Sequence, residues 1–285
     1  MTILRSAAWK IWLGYGLAAA AIVFAARYLG LNRSAFISAI SELAPTSLLL
    51  ATVAFALHVL INAMAFAPLN HAFGVSARSS TLTRTWAATL LAKYIPGGIW
   101  HVVGRGLLLA KLGVPARTTA AVGMAEQGIS LALCALIAAA FFWMFVAASW
   151  WRLALVGIGS LALIFVPPRV FTLFRHPLRA ELFRRALLGY AIAMVPYALG
   201  YVVIVAPEAP ARFLGALFAG TIAGVLALPV PGGLGIRESA TSLLALSAQP
   251  ARLFAGMLAA RALIFGVEVL VSLLSLRGLR RRNAA

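Results

Sequence analysis

Residues 91–105 read LAKYIPGGIWHVVGR, and residues 226–238 read LALPVPGGLGIRE. Both stretches place Pro-Gly-Gly inside an otherwise apolar segment, and both carry an arginine a few residues later, Arg105 and Arg237. Proline removes a backbone donor and clashes with the preceding helical turn, while two glycines weaken helix formation further. We therefore predict that two apolar helical segments are broken at the same motif.

The composition places these breaks in a membrane protein. Hydrophobic residues make up 63% of the 285-residue chain, charged residues 11%, and the mean hydropathy is +0.99. A bilayer span takes about 20 residues, and six further apolar runs approach or exceed that length: 11–29, 47–73, 118–144, 150–166, 186–205 and 253–276. No soluble domain of useful size is left, so the net charge of +18 is not expected to mark a nucleic-acid-binding face. We expect the first run to be a retained signal anchor.

Basic residues indicate the topology, because cytoplasmic loops of membrane proteins accumulate lysine and arginine. If all eight apolar segments cross, with the amino terminus inside, ten basic residues lie inside and twelve outside. If both Pro-Gly-Gly segments instead enter and leave on one side, sixteen lie inside and six outside. We therefore predict an all-α polytopic membrane protein of the inner membrane, with six full transmembrane helices, two re-entrant Pro-Gly-Gly hairpins and both termini cytoplasmic. An ordinary kinked span is the alternative for each hairpin.

An internal repeat accompanies the two breaks. Pro96 and Pro231 are 135 residues apart, and the same offset carries 11–29, 47–73 and 118–144 onto the later apolar runs. The single membrane domain 1–285 is therefore predicted to contain a first repeat, 1–144, and a second repeat, 145–285. Three crossings and one hairpin per repeat place the second copy upside down, as in many transporters built around a central site.

Cationic residues and glycines around the breaks predict an anion site. The glycines begin the second half of each hairpin, where unpaired backbone N–H groups attract anions. Arginine can also hold a phosphate through two parallel hydrogen bonds. The predicted head-group or phosphate ligands are Lys93, Gly97, Gly98, His101, Arg105, Gly232, Gly233, Arg237 and Arg261. For Lys93, Arg105 and Arg237 the alternative is snorkelling to the head-group layer.

Ionisable residues deep in apolar segments are costly and usually face a partner or a cavity. The expected intramembrane pairs are Glu126 with Lys93 or Arg105, and Arg261 with Glu238 or Glu268. Such pairs are either purely structural or exchange partners when a lipid phosphate enters. His58 is a candidate proton relay, although histidines in membranes also form hydrogen bonds between helices.

The two motifs, KYIPGGIWHVVGR followed by Glu126 and PVPGGLGIRE followed by Arg261, resemble those of the lysylphosphatidylglycerol synthase transmembrane-region family, also called flippase-like. The resemblance covers nearly the whole chain. It implies a membrane domain that moves a lipid between leaflets, which in members with a cytosolic aminoacyl-transfer domain is aminoacylated phosphatidylglycerol. This sequence ends at Ala285 without such a domain, so a lipid-modifying enzyme is expected to be a separate partner.

The residues and the resemblance together predict translocation of an anionic or head-group-modified phospholipid or lipid phosphate, with membrane lipid as the substrate. We expect no enzyme activity, cofactor or metal site, because the chain has no aspartate and no metal-binding motif. A small-solute or ion secondary transporter is the main alternative. A membrane-embedded lipid-phosphate enzyme, with a His101 nucleophile beside Arg105, is the weaker alternative.

Overall fold

The computed structural model describes residues 43–95, 99–146, 178–227 and 230–283, together with a few positions between 33 and 41 and between 158 and 163. Two predicted spans, 11–29 and 150–166, lie wholly or almost wholly outside the described residues. Pro96, Gly97 and Gly98 of the first break lie outside them too.

Every regular element in the described part of the chain is a helix. The α-helices are α1 (Pro45–Ala72), α2 (Ser79–Ala88), α3 (Trp100–Ala110), α4 (Ala116–Val146), α5 (Ala180–Val205), α6 (Pro210–Leu226), α7 (Ile236–Ala245) and α8 (Pro250–Asn283), with 3₁₀ turns at Leu90–Tyr94 and Pro231–Gly233. Proline occupies the first turn of α1 and α6, where its missing N–H would have no helical partner anyway. The predicted all-α class is confirmed for these residues.

Within the described ranges, four helices are long and apolar enough to cross a membrane: α1, α5, residues Ala116–Phe142 of α4 and residues Pro250–Leu276 of α8. Large apolar side chains on these helices are exposed, among them Met64 at 65% and Val195 at 68%. Exposed apolar surface of this extent suits contact with lipid. The prediction of a membrane protein with transmembrane helices agrees with these four helices, which coincide with the predicted runs 47–73, 118–144, 186–205 and 253–276.

The helices of the two halves follow the predicted spacing. The offset of 135 residues carries the first residue of α1 onto 180, that of α3 onto 235 and that of α4 onto 251. The observed α5, α7 and α8 begin at Ala180, Ile236 and Pro250. The starts of these three helix pairs therefore agree with the offset to within one residue.

The helices α1 and α5 pack against each other in antiparallel directions. Near one end, the Arg179 backbone N–H donates to the Ala72 carbonyl at 2.9 Å. Further along, a β-carbon on Gly200 would lie 2.5 Å from the Phe55 ring, so only glycine fits there. Small residues that let helices approach closely are typical of packing inside membranes.

The second break joins two helices that lie side by side. A β-carbon on Gly224 of α6 would meet Arg237 of α7 at 3.1 Å, and the Thr241 hydroxyl of α7 lies 3.4 Å from the Ala216 carbonyl of α6. Later residues of α7 contact earlier residues of α6, so the two helices are antiparallel and the chain reverses between them. At the reversal, a β-carbon on Gly233 would lie 2.5 Å from the Gly224 carbonyl oxygen, and this close approach requires glycine.

The first break brings α3 back to the end of α2. The Arg105 Nε–H donates to the Thr89 hydroxyl at 3.3 Å, and a β-carbon on Gly104 would meet the Thr89 methyl at 3.2 Å. Tyr94, just before the first break, also lies against the second break, because its ring carbons would lie 3.0 and 3.1 Å from a β-carbon on Gly232. The two interrupted segments therefore meet in the interior of the helical bundle.

Candidate functional site

A cavity of about 780 Å³ lies between the two breaks, within the range of about 300–1,000 Å³ typical of small-molecule sites. Its walls include ten of the thirteen residues predicted for the site: His58, Lys93, His101, Arg105, Glu126, Gly232, Gly233, Arg237, Arg261 and Glu268. Glu238 is not among the wall residues. The other two, Gly97 and Gly98, lie outside the described residues. The structure therefore brings most of the predicted charged residues to one place.

Arg105 and Glu126 form a buried ion pair on one wall. Arg105 is 3% exposed and Glu126 5%, and an Arg105 guanidinium N–H donates to one carboxylate oxygen. The other carboxylate oxygen accepts the Trp86 indole N–H at 2.7 Å. The guanidinium also lies over the rings of Phe66 and Trp86, at 4.9 and 5.4 Å from their centroids. Of the two partners predicted for Glu126, the structure selects Arg105.

A second ion pair joins Lys93, in the 3₁₀ turn that precedes the first break, to Glu268 on α8. The ammonium lies 2.5 Å from one carboxylate oxygen, and the Tyr94 hydroxyl donates to the other at 2.9 Å. Glu268 is fully buried, whereas the Lys93 side chain is 35% exposed. Tyr94 also packs edge-on against Phe265 at 4.9 Å. The carboxylate of Glu268 therefore anchors the first break to the last helix.

Arg261 has a different partner from either one predicted. Its guanidinium donates to the Gly232 carbonyl of the second break, and no described carboxylate lies within ion-pair distance of it. The expected pairing of Arg261 with Glu238 or Glu268 is therefore wrong for this conformation. The physical reason is that Glu268 is already shared by Lys93 and Tyr94, while Glu238 turns back onto its own helix.

The backbone donors of the second break are also less available than predicted. The Gly233 N–H donates to the Val230 carbonyl at 3.0 Å, and the Gly235 N–H donates to the Glu238 carboxylate at 2.7 Å. Positive φ values of 56°, 67° and 82° at Gly232, Gly233 and Gly235 permit this tight turn. The prediction of an unpaired N–H is therefore wrong for Gly233. Of the groups predicted to attract an anion here, the arginine side chains are therefore the more available ones.

A directed chain of hydrogen bonds holds Arg237. Its guanidinium donates to the Tyr197 hydroxyl at 3.0 Å, which lies 3.2 Å from the Thr221 hydroxyl, and Thr221 donates to the Leu217 carbonyl at 2.8 Å. Arginine can only donate and a carbonyl can only accept, so Tyr197 must donate to Thr221. Arg237 is thereby fixed by groups from α5 and α6.

The two histidines of the cavity are held by neutral groups. His58 Nδ1 lies 2.8 Å from the Ala193 carbonyl, so this nitrogen carries the proton and bridges α1 to α5. His101 is buried, and its Nε2 lies 3.2 Å from the Gln127 amide nitrogen. The contact of His58 is the interhelical hydrogen bond that was the alternative to a proton relay. The relay itself stays a prediction.

The neutral partners of the charged groups were not predicted from the sequence, namely Trp86, Tyr94, Gln127, Tyr197 and Thr221. Aromatic residues in apolar segments look like ordinary lipid-facing or core positions, and no spacing distinguishes these from the others. One signal was present, because each buried cation needs several acceptors and the chain has only six acidic residues. Hydroxyl groups in the spans were therefore the obvious additional acceptors.

The cavity wall becomes apolar where it reaches the outside of the molecule. Six wall residues are exposed, and we call them the cavity mouth: Ile99, Val103, Ala120, Met124, Gly128 and Leu226. Met124 is 75% exposed and Leu226 is 65% exposed. The site can therefore hold an anionic group inside while an attached apolar chain extends through the mouth.

Comparisons with known proteins add no family assignment. No protein-family model matches the chain, and no curated protein matches it. The resemblance to the lysylphosphatidylglycerol synthase transmembrane-region family therefore stays a prediction that rests on the two motifs. Among the described residues, no group of three or more histidine, cysteine or acidic side chains is placed to hold a metal ion.

Proposed function

We propose that this protein translocates an anionic or head-group-modified lipid across the inner membrane. The observation that carries the proposal is the two-sided character of one cavity, whose interior holds four cationic side chains and whose mouth is apolar and exposed. A lipid has the same two parts, a charged head and apolar chains. The head would lie among the cations while the acyl chains pass between Met124 and Leu226 into the bilayer.

We also propose a topology of six full spans and two re-entrant hairpins, arranged as an inverted repeat with both termini cytoplasmic. Three observations support it: the reversal of the chain between α6 and α7, the return of α3 to the end of α2, and the agreement of helix starts with the 135-residue offset. The bias of sixteen basic residues inside against six outside sets the orientation. Irregular backbone inside a membrane is tolerated where it lines a cavity, and Gly232 and Gly233 of the second break line the cavity here.

The arrangement of charges suggests how a phosphate would be accommodated. Two of the four cations, Lys93 and Arg105, have a carboxylate partner, and the other two, Arg237 and Arg261, have none among the described residues. An isolated charge in an apolar environment is costly, and an arriving phosphate would meet Arg237 and Arg261 without first having to break an ion pair. We propose in addition that the chain belongs to the lysylphosphatidylglycerol synthase transmembrane-region family and that the lipid it selects has an anionic or modified head group.

A small-solute or ion transporter would need the charged interior but not the apolar mouth. The exposure of Met124 and Leu226 at the cavity mouth therefore favours a lipid as the substrate. A lipid-phosphate enzyme would need a reactive nucleophile. His101 is buried on the same wall as Arg105, but its Nε2 lies against the Gln127 amide nitrogen. This contact makes the enzyme the less favoured alternative.

Reconstitution in liposomes tests the proposal. Fluorescent lipids with different head groups are placed in both leaflets, and a membrane-impermeant reductant quenches those that reach the outer leaflet. We expect the protein to accelerate the exchange of at least one anionic lipid, and an Arg261→Ala variant that still folds to lose this acceleration. A matched control is Arg117→Ala, because Arg117 is exposed at the start of α4, outside the cavity. Exchange no faster than in protein-free liposomes, together with uptake of a soluble anion, would favour the small-solute alternative.

A further inference from the structure

The four cations of the cavity fall into two classes. Lys93 and Arg105 each have a dedicated carboxylate, whereas Arg237 and Arg261 have only neutral acceptors among the described residues. We propose that Arg237 and Arg261, which we call the two-arginine corner, form a subsite for a doubly charged phosphate monoester. That the phosphate belongs to a lipid rests on the proposed function, whereas the phosphate chemistry rests on the corner itself.

The two guanidinium groups both lie near the turn of the second break. Arg261 donates to the Gly232 carbonyl. A β-carbon on Gly224 would be 3.4 Å from Arg237 Nε and 3.6 Å from the Gly233 carbonyl oxygen. Both arginines also line the cavity. One small anion beside the second break could therefore contact both of them.

Each arginine of the corner has an N–H group that lacks an acceptor. The Nε atoms of Arg237 and Arg261 are buried and find no hydrogen-bond partner in the described part of the chain. Arg261 as a whole is only 6% exposed. Buried donors are nearly always satisfied in proteins, and an unsatisfied one needs an explanation. A ligand with several acceptor oxygens in the cavity provides that explanation for both groups together.

The balance of charge favours a dianion over a monoanion. Among the described wall residues, four cations face two carboxylates, and both carboxylates are engaged by Lys93 and Arg105. The excess of two positive charges lies at the corner. Glu238 is the nearest further carboxylate on α7, but it is fully buried outside the cavity wall and caps the Gly235 N–H. Its charge is partly offset by the positive amino-terminal end of that helix.

The number of oxygens leads to the same ligand class. Arginine binds phosphate best through two parallel hydrogen bonds, and the two free oxygens of a phosphodiester form one pair that both arginines would have to share. A phosphate monoester offers three terminal oxygens and, above its second pKa of about 6, two charges. The corner therefore matches the terminal phosphate of a lipid monophosphate better than the internal phosphate of a phosphodiester lipid.

Two soluble probes test this in the detergent-purified protein. Methyl phosphate is the monoester and dimethyl phosphate the diester, and titration calorimetry gives both affinities at pH 8 and pH 5. We expect methyl phosphate to bind about tenfold more tightly at pH 8, because a hydrogen-bonded charge contributes at least that much. The preference should nearly vanish at pH 5, where methyl phosphate carries one charge. Equal affinities at both pH values would overturn the proposal.

Protonation of the protein's own groups does not determine the ratio of the two probe affinities. The charged or titratable groups near the corner on neighbouring elements are Lys93, Tyr94, Glu268, Tyr197, Tyr201, His58 and Glu238. Both probes meet the same groups in the same protonation states. The ratio of the two affinities at each pH therefore reports the charge of the probe.

Variants locate the probe in the cavity. Arg237→Gln and Arg261→Gln are each expected to weaken methyl phosphate binding at pH 8 about tenfold, while Arg117→Gln leaves it unchanged. If a glutamine variant does not fold, the lysine variant is measured in its place. Lysine keeps the positive charge but lacks the pair of parallel N–H donors of the guanidinium. Binding that survives both changes at the corner would place the anion elsewhere and overturn the proposal.

The lipid assay separates this inference from the proposed function. Phosphatidic acid carries a phosphate monoester, and phosphatidylglycerol a diester, so exchange of both is measured in liposomes with matched acyl chains. Preference for methyl phosphate without exchange of either lipid would identify a soluble phosphate as ligand, so that the corner stands and lipid translocation fails. Equal exchange of both lipids without a probe preference would leave translocation standing and refute the monoester subsite.

Discussion

The Arg105–Glu126 pair gives the sharpest prediction about stability. Glu126→Gln keeps the shape of the side chain and an oxygen for the Trp86 indole N–H, so the change is confined to the ionic partner of Arg105. Removing one partner of a buried ion pair typically costs about 3–5 kcal/mol, because the other charge stays buried without compensation. Arg105 keeps its contact with Thr89 and its position over the Phe66 ring, so we expect the lower end, about 3 kcal/mol.

Unfolding of the detergent-solubilised protein by sodium dodecyl sulfate, followed by circular dichroism, measures this cost. The double variant with Arg105→Gln and Glu126→Gln carries no unpaired charge at this position and should recover most of the loss. The single variants and the double variant then form a thermodynamic cycle. A cost of less than about 1 kcal/mol for Glu126→Gln, or additive effects of the two changes, would show that the pair is not the buried unit described above.

Three further predictions concern the second broken segment and the topology. Tyr197→Phe removes the acceptor that fixes Arg237 and should weaken methyl phosphate binding by up to about tenfold, measured by calorimetry, with little loss of helical content. Gly233→Ala should destabilise the fold by about 2 kcal/mol or more in detergent-induced unfolding, since φ there is 67° and a β-carbon would meet backbone. In a background without the native cysteine, an impermeant thiol reagent should label Ser247→Cys from outside and Gly113→Cys only from the cytoplasm.

Each of these has a control and a contradicting result. Phosphate affinity that is the same in Tyr197→Phe as in the native protein would mean that Arg237 needs no positioning, whereas Thr221→Ser keeps the hydroxyl and should keep the affinity. Gly128→Ala is the matched control for Gly233→Ala, because its β-carbon would meet nothing within 4 Å in a helix, and it should be neutral or stabilising. Labelling of Gly113→Cys from outside would refute the inverted hairpins.

The fold class, and most of the residues that line the candidate site, could be predicted from the sequence. Apolar runs of membrane length follow directly from composition, and a charged residue inside such a run must face the interior, which is why ten predicted residues share one cavity. The pairing of those charges could not be predicted. Lys93 and Glu268 are 175 positions apart, and their contact depends on how the first break packs against the last helix, which no local pattern encodes.

The neutral partners explain a further difference between prediction and structure. A buried guanidinium has five donors, and local sequence shows only nearby carboxylates as candidates. The structure instead satisfies Arg237 through the Tyr197 hydroxyl and Arg261 through a carbonyl that the turn at Gly232 exposes. Both acceptors exist because helices from different parts of the chain meet at the break. They also leave the two arginines charged and without an anionic partner among the described residues.

This asymmetry between the cations is the strongest physical argument for a ligand. If the cations served only to hold the fold together, each would be expected to have a carboxylate, as Lys93 and Arg105 do. A chain with six acidic residues has Glu238 within reach of the same region, yet that carboxylate caps a helix while one of its oxygens has no described hydrogen-bond partner. Two guanidinium groups beside an apolar opening are costly without an anionic partner. The proposed lipid, an anion with an apolar tail, would offset that cost.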